Sequence, residues 1–338
     1  VHRRSVLTAL AASGALVTLS ACGGEGDGAG AGSSAPAASS APGGASGAFP
    51  VTVEHKLGST EVAAAPERVV TVGYNEQDFV LALGVTPVGT RKTLSYDSAR
   101  RPWAQDLLPE GGIPEVGEAE LNLEAIAALQ PDLIIGAYSY MEQDLYDQLS
   151  AIAPTIADAP GATPEAAATW QEELRVVGRA LGRGEQAAAL TEQVETDFQD
   201  AVDAHPGFAG KTVTVALIIG GQYYLLGAAD PRGKFFQDLG FEGNPTEGEL
   251  SAEQTSVMDT DVLVVLGADA QTFAANGAAA ALAVVTEGRT VYMPTFEDDF
   301  AGALGFSSPL SLPYAVEQAV PVLAAAADGD TATVPATL

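Results

Sequence analysis

From Val69 onward the chain alternates short apolar runs with amphipathic segments, the pattern of buried strands covered by helices. In "ERVVTVGYNEQDFVLALGVTPVGTR" it predicts a strand at Val69–Gly73, a helix over about Gln77–Leu83 and a second short strand near Val88. In "NLEAIAALQPDLIIGAY" it places Asn122 to cap a helix, Pro131 to end it and a strand over Leu133–Gly136. Strands alternating with helices argue for a mainly parallel sheet covered on both faces. The stretch from Thr163 to His205 is instead helical throughout, with a break at Gly182–Gly184, and its second half carries Leu190, Val194, Phe198 and Ala201 on one face. That half makes a rod of roughly 31 Å, a strut between two lobes. Past Pro206 the alternation resumes, with "KTVTVALIIGG" and "QYYLLGA" as strands separated by a Gly-Gly turn, "DVLVVLGA" and "RTVYMP" as strands that follow with helices between, and "SLPYAVEQAVPVLAAA" as a closing helix. The expected fold class is α/β: two Rossmann-like lobes with mainly parallel sheets joined by a single long helix, with the ligand cleft between them. The expected boundaries are 50–163 for the first lobe, 164–206 for the connecting helices and 207–338 for the second lobe.

The first residues do not belong to that fold. "VHRRSVLTALAASGALVTLSAC" has a basic region, Arg3 and Arg4, followed by an apolar stretch from Val6 to Leu19, the layout of an export signal over residues 1–21. The arginine pair fits a twin-arginine signal or a generic basic region equally. Cys22 is the one cysteine, so a disulfide within the chain and a cysteine metal cluster are both excluded. Leu19-Ser20-Ala21-Cys22 resembles a bacterial lipobox, which implies cleavage before Cys22 and acylation of its thiol. Residues 22–49 then form a tether. From Gly23 to Ala48 it is almost wholly Gly, Ala, Ser and Pro, too poor in apolar surface to order itself, and as a flexible coil it reaches about 25–30 Å.

Composition narrows the function. With 338 residues, 47% of them hydrophobic, each lobe has material for its own core. The formal net charge of −29 leaves no basic stripe to neutralise nucleic acid and no charge-driven adhesion to anionic lipid. No internal apolar run reaches the roughly 20 residues of a membrane-spanning helix. His2, His55 and His205 are the three histidines, none at ligand spacing from another histidine or a carboxylate, which weighs against a zinc enzyme and against a receptor for bare zinc or manganese. There is no Gly-x-Ser-x-Gly elbow and no Walker loop. Among 44 acidic residues, any pair nominated as a glycosidase dyad carries little information.

Ligands in open α/β sheets bind beyond the carboxyl ends of the strands. The candidate ligand-binding residues are therefore Tyr74 and Asn75 after the first strand, Arg91 and Tyr96 after the second, and Tyr138 and Tyr140 after "DLIIGA". The second lobe offers Tyr223, Tyr224, Arg232, Phe235 and Phe300. Rings with polar tips and forked guanidinium donors suit a bulky, partly polar ligand. A further pattern is a repeat: "NLEAIAALQPD" and "SAEQTSVMDTD" each place a glutamate in the first turn of a helix and an aspartate eight residues later, Glu124 with Asp132 and Glu253 with Asp261. A glutamate there gains about 0.3–1 kcal/mol from the helix dipole without any partner.

"PERVVTVGYNEQDFVLALGVTPVG", "NLEAIAALQPDLII", "TWQEELRVVGRALG" and "GFSSPLSLPYAVEQAVPVL" together carry a resemblance that runs from Pro66 onward. The chain resembles the iron-siderophore-binding lipoproteins of ABC importers, relatives of the ferric hydroxamate and vitamin B12 receptors. The resemblance implies two lobes joined by a rigid helix, a shallow cleft with little hinge closure, and a carrier rather than an enzyme. It implies no cofactor, since iron arrives inside the siderophore, and an ABC permease dimer with its ATPase as partner. The expected chain is a monomer on the outer face of the cytoplasmic membrane, held through its N-terminal lipid only, with no nucleic acid partner. Such receptors dock through one glutamate per lobe onto permease arginines, and Glu124 and Glu253 occupy the matching positions. Anionic ferric catecholates or citrate require a basic cleft, for which Arg91, Arg232, Lys92 and Arg101 are the few candidates. An aromatic cleft in an acidic protein favours neutral or cationic hydroxamates, with haem and a cobalamin also compatible. The competing class is a lipid-anchored secreted hydrolase, which predicts turnover; a third is a surface sensor that binds the same ligand and signals to a kinase.

Overall fold

A computed structural model describes residues 49–93, 96–163 and 168–338. The export signal, Cys22 and nearly all of the tether lie outside the described residues. The first element is a hairpin of β1 (Val51–His55) and β2 (Gly58–Val62), paired antiparallel from Val51 opposite Val62 to His55 opposite Gly58. It is absent from the expected elements, although Val51, Val53 and His55 alternate with polar residues as a half-buried strand requires.

The first lobe continues with β3 (Val69–Thr71), α1 (Glu76–Ala82), β4 (Gly89–Thr90), α2 (Leu123–Ala128), β5 (Leu133–Ile135), α3 (Gln143–Ser150) and β6 (Thr155–Ile156). Its four strands lie in the order β4-β3-β5-β6, all parallel. Alternate residues feed two cores: Val69, Leu133 and Ile135 pack on one face, Val70 and Ile134 on the other. That is why these strands read as unbroken apolar runs. Two helices follow, α4 (Trp170–Ala180) and α5 (Gly184–Ala204). Thr169 and Glu172 form a capping box at the start of α4. Between the helices Gly182 takes φ 65°, and a Cβ on Gly178 would come within 2.5 Å of that of Ala187, so the two helices pack closely.

The second lobe comprises β7 (Thr212–Ile219), β8 (Gln222–Leu226), α6 (Pro231–Asp238), β9 (Glu242–Gly243), β10 (Gly248–Leu250) and β11 (Val262–Leu266). Then come the short helices α7 (Ala270–Ala274), α8 (Gly277–Ala280) and α9 (Ala283–Thr286), followed by β12 (Thr290–Met293), α10 (Asp299–Phe306) and α11 (Ser311–Ala327). Its sheet runs β10-β8-β7-β11-β12, with β9 beside β7. This sheet is mixed but mainly parallel, as expected: β8 alone is reversed, antiparallel to both of its neighbours, β7 and β10. Gly220 and Gly221, at φ 59° and 82°, form the expected turn and send the chain straight back after β7 as a hairpin.

The repeated aspartates have a structural role. Asp132 accepts hydrogen bonds from the amides of Glu67 (2.8 Å) and Arg68 (2.9 Å), just before β3, and Asp261 accepts from the amide of Thr212 (2.8 Å), which opens β7. Each aspartate, at the entry to one strand, ties off the start of its parallel neighbour. The element preceding Asp261 is a 3₁₀ helix over Ala252–Met258, whereas α2 precedes Asp132.

The lobes meet through buried polar groups. Asp78 on α1 and Arg101 form an ion pair at 2.9 Å in which both side chains are almost fully buried. Asp78 also accepts from Trp103 Nε1 (2.6 Å) and, across the junction, from Ser308 Oγ (3.1 Å). The Asn75 amide donates to Phe306 O and to Glu173 Oε2, both at 2.9 Å. Tyr96 donates to Asp299 at 3.0 Å, and the Trp103 ring packs 5.8 Å from Phe306 and 5.5 Å from Tyr314. Replacing Asp78 by Ala leaves the Arg101 charge buried and unpaired, so Asp78→Ala is expected to lose about 3–5 kcal/mol of stability, read as a lower urea midpoint. Adding Arg101→Met to that variant restores most of the loss, because no charge then remains buried.

Candidate functional site

The chain runs from β3 to β4 on one side of it and then returns to β5 on the other. The connections leaving these strands therefore diverge at the carboxyl end of β3, where an open α/β sheet forms its binding crevice. Tyr74 follows β3, Arg91 follows β4, and Tyr138 and Tyr140 follow β5. Their rings gather there: Tyr138 and Tyr140 lie 5.2 Å apart, and Tyr74 lies 6.0 Å from Tyr138 and 6.5 Å from Tyr140. Tyr140 donates its hydroxyl to that of Tyr138 at 3.2 Å. The Arg91 guanidinium sits 4.5 Å from the Tyr74 ring centre, a contact worth about 0.5–2 kcal/mol. It also donates to Glu118 O (2.7 Å) and Ala119 O (2.9 Å), which fix its orientation.

Buried carboxylates support these loops from below. The Tyr74 amide donates to Tyr138 O (3.0 Å), and the Tyr138 amide donates to Glu76 Oε1 (2.5 Å). Tyr140 has φ 52°, a left-handed conformation costing on the order of 1–3 kcal/mol for a side chain of this kind. Asp158, just after β6, holds it there by accepting from the amides of Ser139 (3.0 Å), Tyr140 (2.7 Å) and Met141 (2.9 Å) and from the Ser139 hydroxyl (3.2 Å). Burial pushes the Glu76 carboxyl up to about 7 against the pull of its backbone hydrogen bonds, and it raises Glu173 well above the usual carboxylate range. Burial, and after it the hydrogen bond with Tyr140, raises the Tyr138 phenol as well.

From the second lobe comes Arg232, in the first turn of α6. It forks onto Asp230 at 3.0 and 2.7 Å and lies within electrostatic reach of Tyr138 and Tyr140. A narrow gap lined by Asn75, Tyr138, Trp170, Glu173, Pro231 and Phe306 separates the lobes at this point. The structure thus brings together Tyr74, Arg91, Tyr138, Tyr140 and Arg232. The other candidates are engaged in the lobe junction or in the cores. Asn75 is buried with its amide committed to the lobe junction, and Tyr96 is buried in the same junction. Phe235 and Phe300 are 2% and 5% exposed and belong to the second lobe's core, their rings 6.3 Å apart. In β8, Tyr223 meets Phe273 edge-on at 5.9 Å and Tyr224 packs against the core. Arg101 is spent on Asp78, and Lys92 pairs with Glu118 at 3.4 Å. A position after a strand tells which sheet edge a residue occupies, but whether its side chain faces the crevice or the core depends on packing. Two residues that the sequence reading passed over are Glu76 and Asp158, which as carboxylates among many carry no mark. Phe296, after β12, is exposed and lies against Gly267.

Glu124 and Glu253 are exposed, each the second residue of its helix, and neither makes a hydrogen bond or ion pair with the described residues. Asn122 caps the first helix by accepting from the Ala125 amide (3.0 Å); Ser251 and Gln254 form a capping box on the second.

Two lobes with a crevice at the strand ends of the junction are the architecture of a substrate-binding protein. The chain belongs to the periplasmic binding protein family, whose model matches residues 69–295. It is 30% identical over 228 residues to the probable siderophore-binding lipoprotein YfiY of Bacillus subtilis (strain 168), covering 63% of this chain and 67% of that protein. A periplasmic solute binding protein from Mycobacterium smegmatis superposes with a TM-score of 0.73 at 29% identity, covering 82% of this chain and 98% of that one. PiaA of Streptococcus pneumoniae TIGR4, solved in complex with ferrichrome, superposes with a TM-score of 0.68 at 25% identity, covering 83% and 99%.

Asp158 is expected to govern the order of the tyrosine loop. Asp158→Ala removes the acceptor of four hydrogen bonds and should cost on the order of 3 kcal/mol in urea unfolding, with loss of the near-ultraviolet tyrosine signal. Asp158→Asn keeps an acceptor and should fall between this variant and the parent.

Proposed function

We propose that this chain captures a ferric siderophore outside the cytoplasm and delivers it to an ABC permease. The observation that carries this reading is the crevice of Tyr74, Tyr138 and Tyr140 between the Arg91 and Arg232 guanidiniums, built at the switch point of a sheet whose lobe junction is locked by buried polar contacts. Phenols and guanidiniums donate to oxygen-rich ligands, and the rings cover apolar surface, which suits a carrier rather than a catalyst. The naming of YfiY as a siderophore-binding lipoprotein supports it.

Within that class a ferric hydroxamate is favoured. Arg232 is paired with Asp230, and the donors of Arg91 are taken up by the carbonyls of Val72, Glu118 and Ala119, so few free cationic donors remain for an anionic catecholate or citrate. PiaA, which binds ferrichrome in its solved structure, supports the same choice. The wider reading has a lobe at 50–163, connecting helices at 164–206 and a lobe at 207–338. A lipid on Cys22 holds the monomer to the outer face of the membrane, and iron enters only inside its ligand. Glu124 and Glu253 meet the two permease subunits: identical placement in both lobes, exposure, and freedom from described partners support docking over a purely local role at a helix start.

Trp170 lines the interlobe gap, so tryptophan fluorescence of the folded chain is expected to report saturable one-to-one binding of ferrichrome, with Arg232→Ala weakening it about tenfold. Saturable binding of haem or a cobalamin with no response to any ferric siderophore would overturn the ligand class. In cells, the double variant Glu124→Arg with Glu253→Arg is expected to lose uptake while the purified protein keeps its affinity; normal uptake would refute docking through these residues.

A further inference from the structure

Glu76 stands directly beneath the crevice, at the first residue of α1, and is fully buried. Its Oε1 accepts from the Tyr138 amide at 2.5 Å, and its Oε2 has no partner among the described residues. The chain leaves room for this reach: a Cβ on Gly73 would fall 1.9 Å from Oε1 and 2.4 Å from Oε2, so any other residue there would displace the carboxylate. Through the Tyr138 peptide the contact extends to both tyrosine loops. Tyr138 O accepts from the Tyr74 amide, and the Tyr138 hydroxyl accepts from Tyr140. One buried carboxylate thus backs all three rings.

We propose that Glu76 is a positioning residue whose ionised form grips the Tyr138 amide and sets the tyrosine cluster for ligand, and whose protonated form loosens it. An amide hydrogen bond to a carboxylate is roughly twice as strong as one between neutral groups. The groups facing Glu76 are Asp158 beyond β6, Glu173 on α4, the Tyr138 loop, and the backbone amides of Asn75 and Glu76 itself. The two acids resist its ionisation and the amides favour it. The crevice guanidiniums, Arg91 and Arg232, hold acceptors of their own, and Arg101 is paired with Asp78. Burial dominates and pushes the carboxyl from 4.5 up to about 7, so the grip strengthens as pH rises through neutrality. The linkage to stability has the opposite sign. A raised folded value means the folded chain holds the proton longer, so this group lowers stability as pH rises from about 4.5 to about 7.

The test uses the mature chain and Glu76→Gln, which keeps an acceptor for the Tyr138 amide but does not titrate. Without ligand, the near-ultraviolet tyrosine signal between about pH 5.5 and 8.5 should inflect near neutrality in the parent and stay flat in the variant. The variant's urea midpoint at alkaline pH should equal or exceed the parent's, which separates this effect from failure to fold. Gly73→Ala should weaken the tyrosine signal across the range. A parent without an inflection, or an inflection that survives in Glu76→Gln, overturns the proposal. The consequence for ligand rests on the siderophore reading. Ferrichrome affinity in the parent should tighten about tenfold from about pH 6 to pH 8 and be constant in the variant. Absence of ferrichrome binding at every pH, with the ligand-free inflection present and lost in Glu76→Gln, refutes the ligand reading and leaves the positioning role standing. A parent affinity with the same pH dependence as the variant's overturns the coupling to ligand.

Discussion

The ion pair of Asp78 with Arg101 lies where water does not reach, and a charge left unpaired there costs several kcal/mol. Asp78 Oδ2 accepts from Trp103 of the first lobe and Ser308 of the second, so the carboxylate keeps all these partners only when the lobes hold one relative position. Asn75 and Tyr96 add bonds to Phe306 O and Asp299 across the same boundary. Separating the lobes exposes or orphans all of these groups at once. The junction is therefore held by polar groups that tolerate few arrangements, with the aromatic contacts of Trp103 supplying the apolar part.

A crevice built beside such a junction is pre-set before ligand arrives. Arg91 is oriented by carbonyls, Tyr140 is kept in a left-handed conformation by Asp158, and the Tyr138 peptide is bonded both to Tyr74 and to Glu76. Each restraint removes freedom that binding would otherwise have to freeze. The cost is local: burying Glu76 and Glu173 with raised carboxyls sacrifices stability for a fixed binding surface.

The two lobes repeat one device. In each, an aspartate at the entry to a strand takes amides from the start of its parallel neighbour, and a glutamate stands exposed at the second residue of the preceding helix. The aspartates have a structural reason that the repeat alone did not reveal. The glutamates bond to none of the described residues, and each stands in a first helical turn, where the helix dipole favours a negative charge.

Apolar runs bounded by Pro, Gly and Asn determined where strands and helices lie, because periodicity is written in consecutive residues: β3, β5, β11, the break before α5 and the Asn122 cap were all legible. The hairpin β1–β2 was equally written in its alternation and was passed over. The Gly220–Gly221 turn was legible too, and with positive φ at both glycines it makes β8 the reversed strand of the second sheet. Strand-end position also determined the crevice tyrosines and Arg91, since an open α/β sheet presents its ligand site at that edge; Arg232 follows β8, the reversed strand, and its place there was decided by the fold. Only tertiary structure decided that Asn75, Tyr96, Phe235 and Phe300 turn inward, that Arg101 belongs to Asp78, and that Glu76 and Asp158 carry the site from beneath. Burial and pairing join residues far apart in the chain, and no local pattern encodes which of many carboxylates will be enclosed.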